Sequence, residues 1–128
     1  MTMQNSKFKE EFFKRLIKFS VRVVKFAERL RKERILWPVV DQLVRSSTSI
    51  GANVIEAKSA SSKRDYIRYF EIALKSANET KYWLIVIKET MPNLKEETNQ
   101  LLQEVTEISN IIASGILTMK SRKSCKQF

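Results

Sequence analysis

The run Tyr82-Trp83-Leu84-Ile85-Val86-Ile87 decides the fold. Taken alone, six consecutive apolar residues suit a buried strand as well as a helix, so the wider period has to arbitrate. Tyr66, Phe70, Ala73, Ala77, Thr80, Leu84, Ile87 and Met91 alternate spacings of four and three straight through the run. That period belongs to one buried helical stripe. It predicts a helix over 63–91, apolar on nearly every side between Tyr82 and Ile87. Ser62 and Asp65 resemble a capping box at its start, where a Ser oxygen accepts a free amide and an acid answers from three residues on.

Three more helices follow on either side. Downstream, Pro92-Asn93 marks a turn, Asn93 and Glu96 suggest a second cap pair, and Leu94, Leu101, Val105, Ile108, Ile112, Gly115 and Met119 predict a helix over 93–120. Upstream, Pro38 suits the first turn of a helix, where its missing N–H has no intrahelical partner. Asp41 is expected in that first turn, and Val40, Leu43, Ser47, Ile50 and Val54 carry the stripe of a helix over 38–58. Phe12, Leu16, Phe19, Val23, Phe26 and Leu30 define a helix over 6–34. A second stripe of Phe13, Ile17, Ser20, Val24 and Ala27 lies beside the first and makes about half of that helix apolar. Connections this short force neighbouring helices to run antiparallel. The expectation is all-α: an antiparallel up-down-up-down four-helix bundle over residues 1–120, helix 2 the shortest, followed by a basic tail at 121–128 prone to disorder.

Composition agrees with one domain. A chain of 128 residues that is 43% hydrophobic can bury a single core, and two Gly and two Pro leave few tight turns. Cys125 is the one cysteine, so no intrachain disulfide forms and a reducing compartment is favoured. Neither a signal peptide nor a membrane-spanning run is expected, which points to a soluble cytoplasmic protein. Absence of His, a lone Cys and the lack of a Gly-rich phosphate loop argue against enzyme chemistry, metal ligation and cofactors. Glu96, Glu97, Glu104 and Glu107 fit a solvated acidic face of helix 4 better than a carboxylate metal site, which would need Glu-x-x-His pairs. Thr106 and Ser109 read as surface polar residues.

The net charge of +10 is distributed unevenly. Residues 1–34 hold eleven Lys/Arg against four acids, 120–128 hold four bases and no acid, and the stretch between them is close to balance. In the expected topology the start of helix 1 and the end of helix 4 share one pole, so their fields add. Lys14, Lys18, Arg22, Lys25, Arg29 and Lys32 fall within about 80° on helix 1, opposite its apolar half. With Lys120, Arg122 and Lys123 they are the candidate nucleic-acid contacts. A row of cations can track phosphates and release counterions; the competing reading is a solvated face that keeps a bundle soluble. No aromatic residues interleave with the row, so backbone recognition is expected rather than base reading. The excess apolar surface of helix 1 and of 82–87 predicts self-association. A basic amphipathic helix beginning Phe8, Phe12 and Phe13 also suits an anionic membrane surface, but its apolar half is in register with three other helices, and no membrane role is expected.

Two segments carry a family resemblance. Arg45-Ser46-Ser47-Thr48-Ser49-Ile50-Gly51-Ala52-Asn53-Val54-Ile55-Glu56, followed by Tyr69-Phe70-Glu71-Ile72-Ala73-Leu74-Lys75-Ser76-Ala77-Asn78-Glu79, resembles the bacterial four-helix-bundle family encoded in intervening sequences of 23S rRNA genes. The family pattern is approximately R-S-x-x-S-I-x-x-N-I-x-E-G and then I-A-x-G-S-x-x-E. Ala57 stands where the family usually has Gly, and Lys75 where it often has Gly. The resemblance implies homo-oligomers, commonly pentamers, with no enzymatic activity, similar to the basic accessory protein of diversity-generating retroelements. It also implies RNA, or an RNA-bound protein such as a reverse transcriptase, as partner. Arg45, Ser49, Asn53, Glu56 and Glu79 are then motif residues with a structural or inter-subunit role, the competing readings being a plain polar face and a ligand site. An alternative reading keeps the scaffold but gives it an acidic protein partner and no nucleic acid.

Overall fold

The computed structural model describes residues 6–122. Lys123 and Cys125, with the rest of 123–128, lie outside the described residues. Four helices are present: α1 (Ser6–Leu30), α2 (Trp37–Glu56), α3 (Lys63–Thr90) and α4 (Lys95–Ser121). Single 3-10 turns at Arg34–Leu36, Ala57–Ser59 and Pro92–Leu94 join them, and no strand occurs among the described residues. The 82–87 run is helical throughout. Its period put Leu84 and Ile87 wholly inside, left Trp83 half-buried and turned Tyr82 and Ile85 outward.

The stripes meet in one core. Phe12, Leu16, Phe19, Val23, Phe26 and Leu30 of α1 are all buried, as are Val40, Leu43, Ile50 and Val54 of α2, Phe70, Ala73, Ala77 and Leu84 of α3, and Leu101, Val105, Ile108 and Ile112 of α4. Helices α2 and α3 pack closely, as do α3 and α4; α1 rests chiefly on α2 and touches α4 sparsely. Thus α1 and α3 stand diagonally, as do α2 and α4. Pairings that run in opposite residue order, Arg15 with Glu104 and Arg29 with Glu97, fix α1 and α4 as antiparallel. Gly51 of α2 faces Leu16 of α1, and a Cβ there would meet the Leu16 Cβ at 3.5 Å, an ordinary contact.

Helix ends depart from the expectations. α1 stops at Leu30, not Arg34, because the chain must turn over 31–33 to bury Leu36, which is 4% exposed. The turn is held by Glu33 N–H donating to the Leu30 carbonyl at 3.0 Å and by the Trp37 indole donating to the Arg31 carbonyl. Since α2 begins at Trp37, Asp41 falls just past its first turn and instead pairs with Arg31 at 3.0 Å. Asn93 does not cap α4. The 3-10 turn consumes Pro92–Leu94, α4 begins at Lys95 behind Leu94 with no side-chain cap, and the helix continues to Ser121. At α3 the Ser62 oxygen accepts from Asp65 N at 3.0 Å, while the Asp65 carboxylate accepts from Ser61 N at 3.3 Å, one residue earlier than a strict capping box. Ala57, standing for a Gly, sits in right-handed helical space at φ −57°, and no described residue needs a positive φ.

Candidate nucleic-acid interface

A polar seam joins α2 to α3 and absorbs most of the motif residues. Arg45 pairs with Glu79, and Glu79 also accepts from the Trp83 indole at 3.0 Å. One turn on, Ser76 bonds Ser49 at 3.0 Å, and the Asn53 amide donates to the Ser49 hydroxyl at 3.0 Å and to the Ser49 carbonyl at 2.8 Å. Deeper still, Thr80 and Ser46, both fully buried, bond each other at 3.0 Å. Every buried side-chain polar atom among the described residues has a partner, which is what lets small hydroxyls sit inside without a desolvation penalty. Arg45, Ser49, Asn53 and Glu79 therefore serve contacts within one chain. Glu56 is not brought into the seam and stays exposed.

The cations of α1 face away from that seam. Lys14, Lys18, Lys25, Arg29 and Lys32 are exposed and Arg22 is half-buried. Acids of α4 reach this side, so of the expected solvated acidic face only Glu96 is exposed without an ion pair among the described residues, while Glu97, Glu104 and Glu107 are partners of α1. Glu104 accepts from both Arg15 Nε at 2.8 Å and Arg15 Nη2 at 2.9 Å, Glu107 accepts from Arg15 Nη2 at 2.7 Å, and Glu97 pairs with Arg29. The short spacing between α1 and α4 side chains, invisible in either helix alone, makes these acids partners of α1. The Arg15 hydrogen bond holds the Glu104 carboxyl below its ordinary range against the opposing effect of burial, aided by the charges of Arg15, Arg22 and Lys18. Arg15 is in turn held protonated above its ordinary value by Glu104 and Glu107. Lys14 approaches Glu10 only at 3.8 Å, with both side chains about 70% exposed. No ion pair among the described residues engages Lys18, Arg22, Lys25 or Lys32. An open cleft of about 480 Å³ lies between Lys14, Lys18, Arg22 and Phe19, with Glu11 and the Arg15–Glu104 pair on its walls.

The shared pole gathers more than the two ends of the chain. Lys9 of α1 lies 5.7 Å from the Tyr66 ring of α3, Lys58 sits 4.0 Å over Phe13, and Lys63 donates to the Arg122 carbonyl. Lys120 pairs with Glu71 at 2.8 Å. Lys63, Arg64, Arg68 and Lys120 line a cleft of about 620 Å³ with Ile67 and Glu71. Sequence reasoning missed Lys63, Arg64 and Arg68, because summing the near-neutral middle of the chain averaged away a local basic cluster at the start of α3. The four-residue spacing of Arg64 and Arg68 was the available signal.

Phe12 is buried in the core and Phe8 stacks on it at 6.1 Å, whereas Ile17 and Val24 of the second α1 stripe stay exposed. No helix among the described residues is long and apolar enough to cross a membrane. No group of three or more His, Cys, Asp or Glu among them could hold a metal ion. Ser109 is not a surface residue: it is 2% exposed and donates to the Thr106 carbonyl at 2.8 Å, beside Ile108 of the main stripe.

No curated protein matches this chain. It is similar to a solved protein of unknown function from the S23 ribosomal protein family of Bacteroides thetaiotaomicron, with 37% identity and a TM-score of 0.77 over 82% of this chain and 97% of that one. The family described as 23S rRNA-intervening sequence protein matches residues 9–114, which span all four helices, and the chain belongs to that family.

Proposed function

We propose that this protein is a non-enzymatic cytoplasmic scaffold that associates with copies of itself and contacts the phosphate backbone of RNA. The observation that carries the RNA reading is the α1 row: Lys18, Arg22, Lys25 and Lys32 have no ion-pair partner among the described residues and project from one side of the helix. Such a row binds polyanions through counterion release, so affinity falls steeply with salt. Self-association is supported by a different side of the molecule. Ile17, Val21 and Val24 of α1 are 44–54% exposed and Ile55 of α2 is 42% exposed, an apolar strip that water would not favour on a monomer. The five-fold assembly implied by the family resemblance would bury it.

Binding to a structured RNA and to heparin at rising salt tests the reading. Reversing Lys14, Lys18, Arg22 and Lys25 to Glu is expected to abolish binding at low salt, with the helical circular dichroism retained. No affinity of the natural protein at low salt, or affinity unchanged by the reversal, contradicts it. An acidic protein partner is the competing reading. It predicts that capture from a lysate survives nuclease treatment, whereas the RNA reading predicts that capture is lost.

A further inference from the structure

We propose that the outer face of α3 binds single-stranded RNA, with Arg64, Arg68 and Lys75 on its phosphates and the Tyr82 ring stacked on an unpaired base. This rests on the RNA reading above and gives it a second contact, separate from the α1 row. At 100° per residue Arg64, Arg68, Lys75 and Tyr82 fall within about 40° of one another, along about 27 Å of helix. All four are exposed, as is Asn78 beside them. Because α1 and α3 stand diagonally in the bundle, this face and the α1 row lie on different sides of the molecule.

The positive charge of this face is uncommitted. No ion pair among the described residues reaches Arg64, Arg68 or Lys75. Glu71, in the same row, pairs with Lys120 at 2.8 Å, and because that cation comes from α4 the surplus of α3 is left intact. Glu79 is engaged by Arg45 and by the Trp83 indole, and Asp65 accepts from the Ser61 amide. Glu89 lies about two turns beyond Tyr82. The register set by Arg45–Glu79 and Ser49–Ser76 brings Glu56 of α2 level with Arg68, exposed and without an ion pair among the described residues. Three cations thus stand against that one acid.

Tyr82 supplies what the α1 row lacks. Its ring is 59% exposed and meets Trp83 in a T-shaped contact at 4.9 Å. Trp83 is half-buried and donates to Glu79 at 3.0 Å, so the Tyr82 ring rests against a fixed neighbour. A base of any identity stacks on an aromatic face, and cations in line with the ring hold the flanking phosphates. Duplex RNA keeps its bases stacked on one another and offers none to the ring. Single strands are therefore the class this face selects.

Fluorescence anisotropy at about 0.1 M salt, with an unstructured RNA strand and the same strand annealed to its complement, tests the proposal. Tyr82→Ala is expected to weaken single-strand binding about tenfold and duplex binding less than about twofold, while Tyr82→Phe keeps single-strand affinity within about twofold of the natural protein. Arg64→Gln with Arg68→Gln is expected to reduce the salt slope for the single strand by about 1.4, two contacts at about 0.7 each. Circular dichroism of each variant excludes loss of fold. Single-strand affinity unchanged by Tyr82→Ala, affinity lost for both RNAs alike, or a salt slope unchanged by the arginine pair overturns the proposal. So does a Tyr82→Ala protein that loses its assembly in sedimentation velocity, which would make the ring part of a self-contact. If the natural protein binds the duplex alone, the proposal falls while the RNA reading stands; if it binds neither, both fall together.

Discussion

Glu104 is the residue that fastens α1 to α4 where the two backbones scarcely touch. Its carboxyl is held below its ordinary range by Arg15, so the stabilisation is complete above the unfolded carboxylate value of about 4.3 and disappears as pH falls through the lower folded value. Replacing Glu104 with Gln is expected to cost about 1 kcal/mol at pH 7, the upper end for a partly exposed pair. Denaturant melts at a series of pH values should show that gap closing on acidification below about pH 4; a gap independent of pH would assign the loss to packing instead. At this scale the apolar residues were legible and the polar ones much less so. Phe12, Phe70 and Leu84 announce burial by period, whereas the bonds of Ser46 to Thr80 and of Ser49 to Ser76 exist only once α2 lies against α3.

Elements were read correctly because each helix repeats its stripe over many turns, and repetition outweighs any one ambiguous residue. Their ends were read less well, because an end is set by where the next helix must begin. Burial of Leu36 shortened α1, and the Pro92–Leu94 turn displaced the cap expected at Asn93. Among the described residues Ser62 is the one side chain that caps a helix start, so Ser62→Ala is expected to lower stability by about 1 kcal/mol in equilibrium unfolding, and Asn93→Ala to change it by less than about 0.5 kcal/mol. Gly51 gives the opposite sign. An added Cβ meets only ordinary contact at 3.5 Å, and a helical Gly costs about 1 kcal/mol relative to Ala, so Gly51→Ala is expected to raise the melting temperature. A lower value would mean that α1 and α2 need a closer approach than that distance implies.

At the scale of the whole molecule, exposed apolar residues occur on every helix, from Ile17, Val21 and Val24 of α1 and Ile55 of α2 to Tyr82 and Ile85 of α3 and Leu117 of α4, and cations without an ion pair among the described residues stand on both α1 and α3. Only part of this was legible. The surplus at the two ends was visible in the sequence, but the contribution of Arg64 and Arg68, and the neutralisation of Arg15 and Arg29 by α4, depend on which helices become neighbours. Ile17→Glu together with Val24→Glu is expected to convert the assembly to monomers in sedimentation velocity while leaving the melting transition cooperative. An unchanged sedimentation coefficient would place the self-contact elsewhere. The central claim, that exposed cations of this bundle bind RNA through its phosphates, is tested most directly by the salt dependence of RNA affinity. Each phosphate neutralised contributes a slope of roughly −0.7 to −0.9 in log affinity against log salt. Four or more contacts predict a slope of about −2.8 or steeper. A flat dependence, or no measurable binding at about 50 mM salt, would contradict the account.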